Sequence, residues 1–195
     1  KNRQTELNRA IESVLSQSIL PDEIIVVDDG SDYPLKVPSS TATPIQIIEH
    51  QFSFGASAAR NTGIAHSSSE YCAFLDSDDF LDIKKLEEQL YAASIYKADF
   101  LYGKNILIYG NDHVLAKEAE FRELSTYSPY LDLINFYPIP NTSCLMIKRT
   151  LLIELNGFDT NLATCEDHDL WFRAAHLGSR FQAVQKSVSY FVQHT

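Results

Sequence analysis

Residues 23–31 read EIIVVDDGS. Ile24 to Val27 form an unbroken β-branched run, the composition of a strand buried on both faces. The run stops at two acids, a glycine and a serine, which are turn residues. Residues 71–79, YCAFLDSDD, repeat that plan: a short apolar strand runs into Asp76, Asp78 and Asp79. Between the two lie PIQIIEH (44–50), which reads as another strand, and GASAARNTGIAHS (55–67), whose small residues suit a closely packed helix.

Upstream, Leu7, Ala10, Ile11, Val14 and Leu15 recur at helical spacing, with Thr5 as a cap. Downstream, residues 82–98 form an amphipathic helix with Ile83, Leu86 and Leu90 on one face. DFLYGKNILIYG (99–110) is a strand with a hairpin-like return after Asn111. A short apolar helix runs from Tyr130 toward Phe136, where Pro138 and Pro140 break it. SCLMIKR (143–149) is a strand, EDHDLWFRAAHLG (166–178) a helix stopped by glycine, and FQAV and SVSYFV are two late strands. Strands alternating with helices predict an α/β domain with a mostly parallel, Rossmann-like central sheet covered on both faces. No linker interrupts residues 1–195, so a single domain is expected.

Composition narrows the chemistry. A formal net charge of -10 argues against a phosphate-tracking nucleic-acid surface, and no stretch reaches the ~20 apolar residues that span a bilayer. Cys72, Cys144 and Cys165 are odd in number and widely spaced, which fits neither a disulfide framework nor a zinc site. In open α/β sheets ligands bind beyond the carboxyl ends of the strands. Asp28 and Asp29 should therefore share a rim with Asp76, Asp78 and Asp79. Acids so crowded repel one another unless a cation or hydrogen-bond donors offset them, and magnesium or manganese suits such oxygen ligands. Turn and cap roles are the plainer reading of each cluster taken alone.

Asp167 heads an inward stripe with Leu170, Trp171 and Ala174. It suits a general base there; the plainer reading is a residue closing a capping box begun by Thr164, or one favouring the helix dipole. His194 is either a metal ligand or an ordinary terminal residue. Phe52, Phe54, Tyr127, Tyr130, Phe136 and Tyr137 are stacking candidates, with the core as the commoner fate.

Taken together, in this order, NRQTELNRAIESVLSQS (2–18), EIIVVDDGS, GASAARNTGI (55–64), FLDSDD (74–79), NGFD (156–159) and EDHDLWFR (166–173) resemble the family 2 glycosyltransferases, with their GT-A fold. The resemblance implies an inverting enzyme that moves a sugar from a UDP-sugar to the hydroxyl of a glycan, glycolipid or polysaccharide, assisted by manganese or magnesium. It implies a nucleotide-sugar-binding half in residues 1–110 and a smaller acceptor-side half in 111–195.

By the same resemblance Asp29 hydrogen-bonds the uracil, and Asp28 supports its turn. Asp76 and Asp78 are the DxD pair; Asp78 ligates the metal, and Asp76 contacts ribose or metal. Asp79 is available to share either role. Arg60 contacts the donor, Asp167 is the catalytic base, and His194 is a further metal ligand. Asp159, Glu166 and Trp171 lie on the acceptor side. Cytoplasmic work at the inner membrane face is implied, with peripheral association through regions outside this chain.

The family usually begins with an apolar strand ending in a Pro-x-Tyr-Asn-like turn, of which only Asn2-Arg3 matches. We therefore expect a fragment at both ends. Rival readings are a glycosyltransferase-like module without activity, an aspartate-nucleophile phosphatase and a receiver domain. The phosphatase lacks its Thr or Val after the second Asp, since Asp79 and Phe80 stand there. The receiver lacks a suitably placed late Lys.

Overall fold

The computed structural model describes residues 1–39, 41–109, 115–118, 121–124, 129–135, 139 and 141–193, with the backbone alone at 115, 116 and 187. His194, Tyr127, Phe136, Tyr137, Pro138 and Pro140 lie outside the described residues.

The first half forms as its patterns predict. Helix α1 (Gln4–Leu15) leads into β1 (Ile24–Asp28), which pairs in parallel with β2 (Ile45–Glu49) from Ile24↔Ile45 to Asp28↔Glu49. Leu7, Ile11 and Val26 make a small core of their own beneath this pair. Thr5 is not the cap: the helix starts at Gln4, with Arg3 as N-cap and no capping side chain. Helix α2 (Ala56–His66) follows, then β3 (Tyr71–Ala73) and β4 (Phe80–Leu81).

Helix α3 (Lys85–Tyr96) departs from its helical-wheel reading. Ile83 precedes it and is exposed, whereas Lys85 and Gln89 are fully buried beside Leu86, Ala92 and Ala93. Two long polar side chains turn inward because backbone carbonyls await them there (below).

Strand β5 (Phe100–Tyr109) is the spine of a six-stranded sheet. It pairs antiparallel with β6 (Leu115–Glu118) and with β7 (Met146–Lys148), and in parallel with β8 (Phe181–Gln193). The late strands predicted at 181–184 and 187–192 are thus one strand. β3 joins the outer side of β7, and β4 the outer side of β8, both antiparallel. The α/β class holds, but the expected mostly parallel central sheet does not: β1–β2 is a separate parallel pair, and in the six-stranded sheet only β5–β8 is parallel. Periodicity marked the strands, but β7 is only three residues long and its partners are set by packing. The remaining elements are α4 (Pro129–Asn135), a 3-10 turn (Thr142–Cys144), α5 (Arg149–Glu154) and α6 (Glu166–His176). The main core, built on Phe100, Leu145, Ile147, Leu152 and Leu170, lies between sheet and helices. No described helix is long and apolar enough to cross a membrane.

The β5–β8 register shifts between Gly103 and Lys104 and again between Lys104 and Asn105. Val188, the residue skipped at the second shift, is buried against Gly103. A Cβ at Gly103 would sit 2.6 and 2.7 Å from the Val188 methyls. β-branched valine cannot swing away cheaply. Gly103→Ala is therefore expected to cost about 1–3 kcal/mol, read as a lower melting temperature, and Gly103→Ala/Val188→Ala should recover part of the loss. Unchanged melting of the single variant would contradict this packing.

Candidate active site

Asp28, at the end of β1, is buried and turns back on its own loop. Its Oδ1 accepts from the Ser31 hydroxyl (2.6 Å) and the Ser31 backbone N–H (3.2 Å). Gly30, between them, has φ +74, and a Cβ there would meet the Phe52 and Ser53 backbone at 2.8 Å. The loop carrying Phe52 and Ser53 can close on β1 only because residue 30 has no side chain.

Asp29 draws that loop in. Its Oδ1 accepts from the Phe54 N–H (2.8 Å) and faces His50 Nδ1 (2.8 Å); its Oδ2 accepts from the Ser53 hydroxyl (2.7 Å) and the Gly55 N–H (2.9 Å). These four contacts match the four acceptor positions of a carboxylate. Burial opposes its ionisation, but the bonds from Phe54, His50, Ser53 and Gly55 outweigh burial and hold the carboxyl well below its usual range. His50 in turn reaches Thr62 Oγ1 on α2 at 2.9 Å. Phe52 and Phe54 are exposed beside this loop, and Tyr130 is partly exposed against Phe172, so the core is not their fate.

The second acid cluster is a tight turn closed by the Asp79 N–H on the Asp76 carbonyl (3.0 Å). Asp78 pairs with Arg3, and its carbonyl accepts from Arg9. Asp79 points the other way. It is 0% exposed and held by Ser143 Oγ (2.5 Å), Asn141 Nδ2 (3.3 Å) and the Val192 N–H (3.1 Å). Burial lifts its carboxyl to about 7. Asp79 anchors the turn to the sheet, which corrects its reading as a partner of Asp76 and Asp78.

Arg60 of α2 joins the clusters. Its Nη2 bonds both Asp76 oxygens (2.9 and 3.2 Å) and its Nη1 bonds Glu166 Oε1 (2.8 Å). Glu166 is the first residue of α6 and Asp167 the second. Leu170, Trp171 and Ala174 are buried on the stripe that Asp167 heads. The capping-box reading fails: Cys165, in the left-handed region, is the N-cap, and no capping side chain is present. Asp167 Oδ1 accepts only its neighbour's N–H, from His168 (2.8 Å), among the described residues. Trp171 is a core residue at 2% exposure, with its ring against His168.

Asp159 closes a small turn through Asn161. That loop is gripped from two sides. Asn61 exchanges two bonds with the Phe158 backbone, both 2.8 Å, and Arg173 donates to the Leu155 and Gly157 carbonyls.

Asp28, Asp29, Arg60, Asp76, Asp78 and Arg3 line one cavity of about 1210 Å³, bounded by β1 and β3 and by faces of α1, α2 and α3. Asp167 does not line it; Glu166, through Arg60, brings the start of α6 to the acidic turn. His194 lies outside the described residues. His50, Asn61, Thr62, Asn141 and Ser143 organise the site without having stood out in the sequence, since each is a single polar residue in a loop or helix with no repeating pattern.

For a divalent cation, Asp76 and Asp78 supply hard oxygen donors. No group of three His, Cys, Asp or Glu gathers into a closed site among the described residues. Two carboxylates are of the kind that magnesium or manganese takes together with water and phosphate oxygens; in this structure Arg60 and Arg3 hold them, so an ion would take the place of those guanidinium contacts.

This α/β architecture, with acid turns at its strand ends, is of the GT-A class. Residues 1–155 match the family model for glycosyl transferase family 2, and the chain belongs to that family. It is 31% identical over 174 residues to the Escherichia coli UDP-Glc:alpha-D-GlcNAc-diphosphoundecaprenol beta-1,3-glucosyltransferase WfgD, covering 87% of this chain and 64% of that protein. Its fold is similar to Staphylococcus aureus TarS residues 1–349 in complex with UDP, with a TM-score of 0.71 at 20% identity, covering 98% of this chain and 58% of TarS. The same TarS region in complex with UDP-GlcNAc gives 0.68 at 21% identity, covering 95% and 54%. The chain thus spans less than two thirds of each of these proteins.

A carboxyl depressed by folding stabilises the fold above its unfolded value, and the gain is lost as pH falls through the folded one. The stability advantage of the wild type over Asp29→Asn should therefore hold at neutral pH and shrink as pH drops below about 4. Urea unfolding across that range measures it; an advantage that grew on acidification would contradict the geometry around Asp29.

Proposed function

We propose that the chain is the catalytic core of an inverting glycosyltransferase that transfers a sugar from a UDP-sugar to an acceptor hydroxyl on a glycan, glycolipid or polysaccharide. The observation that carries this reading is Arg60. One guanidinium ties the acid turn after β3 to the start of α6, so the proposed donor-binding acids and the proposed base belong to one assembly. Family membership supports it, as do a relative whose name specifies UDP-Glc and a fold neighbour solved with UDP.

In this reading residues 1–110 hold the donor and 111–195 face the acceptor. The loop that Asp29 holds shapes the nucleoside end, and Asp28 fixes the turn beneath it. Asp76 and Asp78 form the diphosphate end, and Arg60 adds positive charge beside it. A manganese or magnesium ion at Asp78 and Asp76 supplies, when bound, charge neutralisation at the departing diphosphate. Asp167 takes the acceptor proton as the acceptor oxygen attacks the anomeric carbon and the bond to the diphosphate oxygen breaks. One displacement inverts the centre, and no covalent intermediate forms on the protein. Asp159 and Glu166 border the acceptor, with Trp171 packed behind them. Association with the inner face of a membrane would come from regions outside this chain.

Two variants test the roles. Asp167→Asn should bind UDP as the wild type does and lose about 10²–10⁴-fold in transfer. Turnover near the wild-type rate would remove Asp167 as the base. Asp78→Ala should weaken manganese-linked UDP binding about tenfold, the scale of one lost charged contact. Calorimetry giving equal affinities would remove Asp78 from the donor site. UDP release from UDP-glucose and other UDP-sugars, with acceptor present, tests the activity itself.

A further inference from the structure

The acid turn has a support that neither the motif nor the proposed chemistry includes. The Ser143 hydroxyl stands between its two ends, accepting from the Asp76 N–H at 3.1 Å and donating to Asp79 Oδ2 at 2.5 Å. Ser143 is fully buried in the 3-10 turn Thr142–Cys144. That turn is itself held from below by α3: Gln89 Nε2 donates to the Cys144 carbonyl (2.8 Å) and Lys85 Nζ to the Leu145 carbonyl (3.0 Å). Both side chains are fully buried, and burial lowers the Lys85 ammonium to about 7. Long polar side chains are seldom taken out of water unless their bonds organise something. Here every bond leads to the segment carrying Ser143.

We infer that Ser143 is a positioning residue for the donor-site carboxylates, and that Lys85 and Gln89 hold it in place. The inference rests on the donor-site reading of Asp76 and Asp78. The hydroxyl fixes the turn at residue 76 through its backbone and at residue 79 through its side chain, so Asp78, between them, inherits a set position. Displacing a binding group by about 1 Å is enough to lose much of its effect. Ser143 touches neither Glu166 nor Asp167 through any hydrogen bond among the described residues. Its loss should therefore weaken donor binding and leave the transfer step largely intact.

The test uses the full chain, with UDP and manganese as probes. Ser143→Ala should lower manganese-linked UDP affinity about tenfold, the scale of one hydrogen bond to a charged group. KM for the UDP-sugar should rise, with kcat at saturation within about twofold of wild type. Amide exchange at residues 76–79 should quicken. Ser143→Thr, which keeps the hydroxyl, should retain most of the affinity. Gln89→Met, remote from the turn, should shift affinity in the same direction by a smaller factor and gives an answer even if Ser143→Ala does not fold.

The proposal is overturned if folded Ser143→Ala or folded Gln89→Met binds UDP as the wild type does. It is also overturned if Ser143→Thr loses as much as Ser143→Ala at equal melting temperature, or if kcat falls while KM holds. Absence of manganese-linked UDP binding in the wild type would instead strike the donor-site reading, and this positioning role with it.

Discussion

A nearly buried guanidinium has to be paired, and Arg60 meets that demand with two carboxylates distant in sequence. Its side chain is 12% exposed. Burial works against its charge, and Asp76 and Glu166 more than offset that cost. Either acid alone would leave part of the fork unmatched. The planar donor set of arginine suits two acids at once, which a lysine ammonium would serve poorly. The path of the chain after β3 and the placement of α6 are both tied to this one group. Without it, the acids of the turn and of the helix start would face one another uncompensated.

Much of the architecture was written in residue patterns. The Ile24–Val27 run is a strand because β-branched side chains suit a pleat, and the acids that end it form the expected turn; of the four only Val26 is buried, since the strand has a single partner, β2. The stripe from Asp167 to Ala174 told correctly which side of α6 faces inward. Sheet order was not legible, since a three-residue strand such as β7 carries no mark of its neighbours. Nor was the continuity of β8, where Gln185 and Lys186 interrupt the apolar pattern: those residues sit at a register shift and remain exposed while the strand runs on.

The motif acids were visible in advance, but their supports were not. Asp76 and Asp78 stand out by crowding, whereas Ser143, Asn141 and His50 act through pairs of local hydrogen bonds that leave no periodic trace. Lys85 and Gln89 misled the helical wheel in an instructive way. Hydropathy assigns such residues to water, yet carbonyls at the end of a 3-10 turn offered them partners inside. Asp79 shows the converse. It shares a motif with its neighbours and faces the sheet, because a four-residue turn cannot aim every side chain in one direction.

Arg60, Asn61 and Thr62 are consecutive on α2, so their side chains leave the helix about 100° apart. Each grips a different segment: the acid turn with α6, the loop at Phe158, and the His50–Asp29 pair. The three regions are therefore mechanically linked through one short rigid rod. A rotation or slide of that rod would disturb all of them together, whereas replacing one of the triplet would release one region alone. Lengthening or shortening α2 by a single residue would turn the whole triplet away from its partners, so its reading frame is constrained more tightly than any one side chain on it.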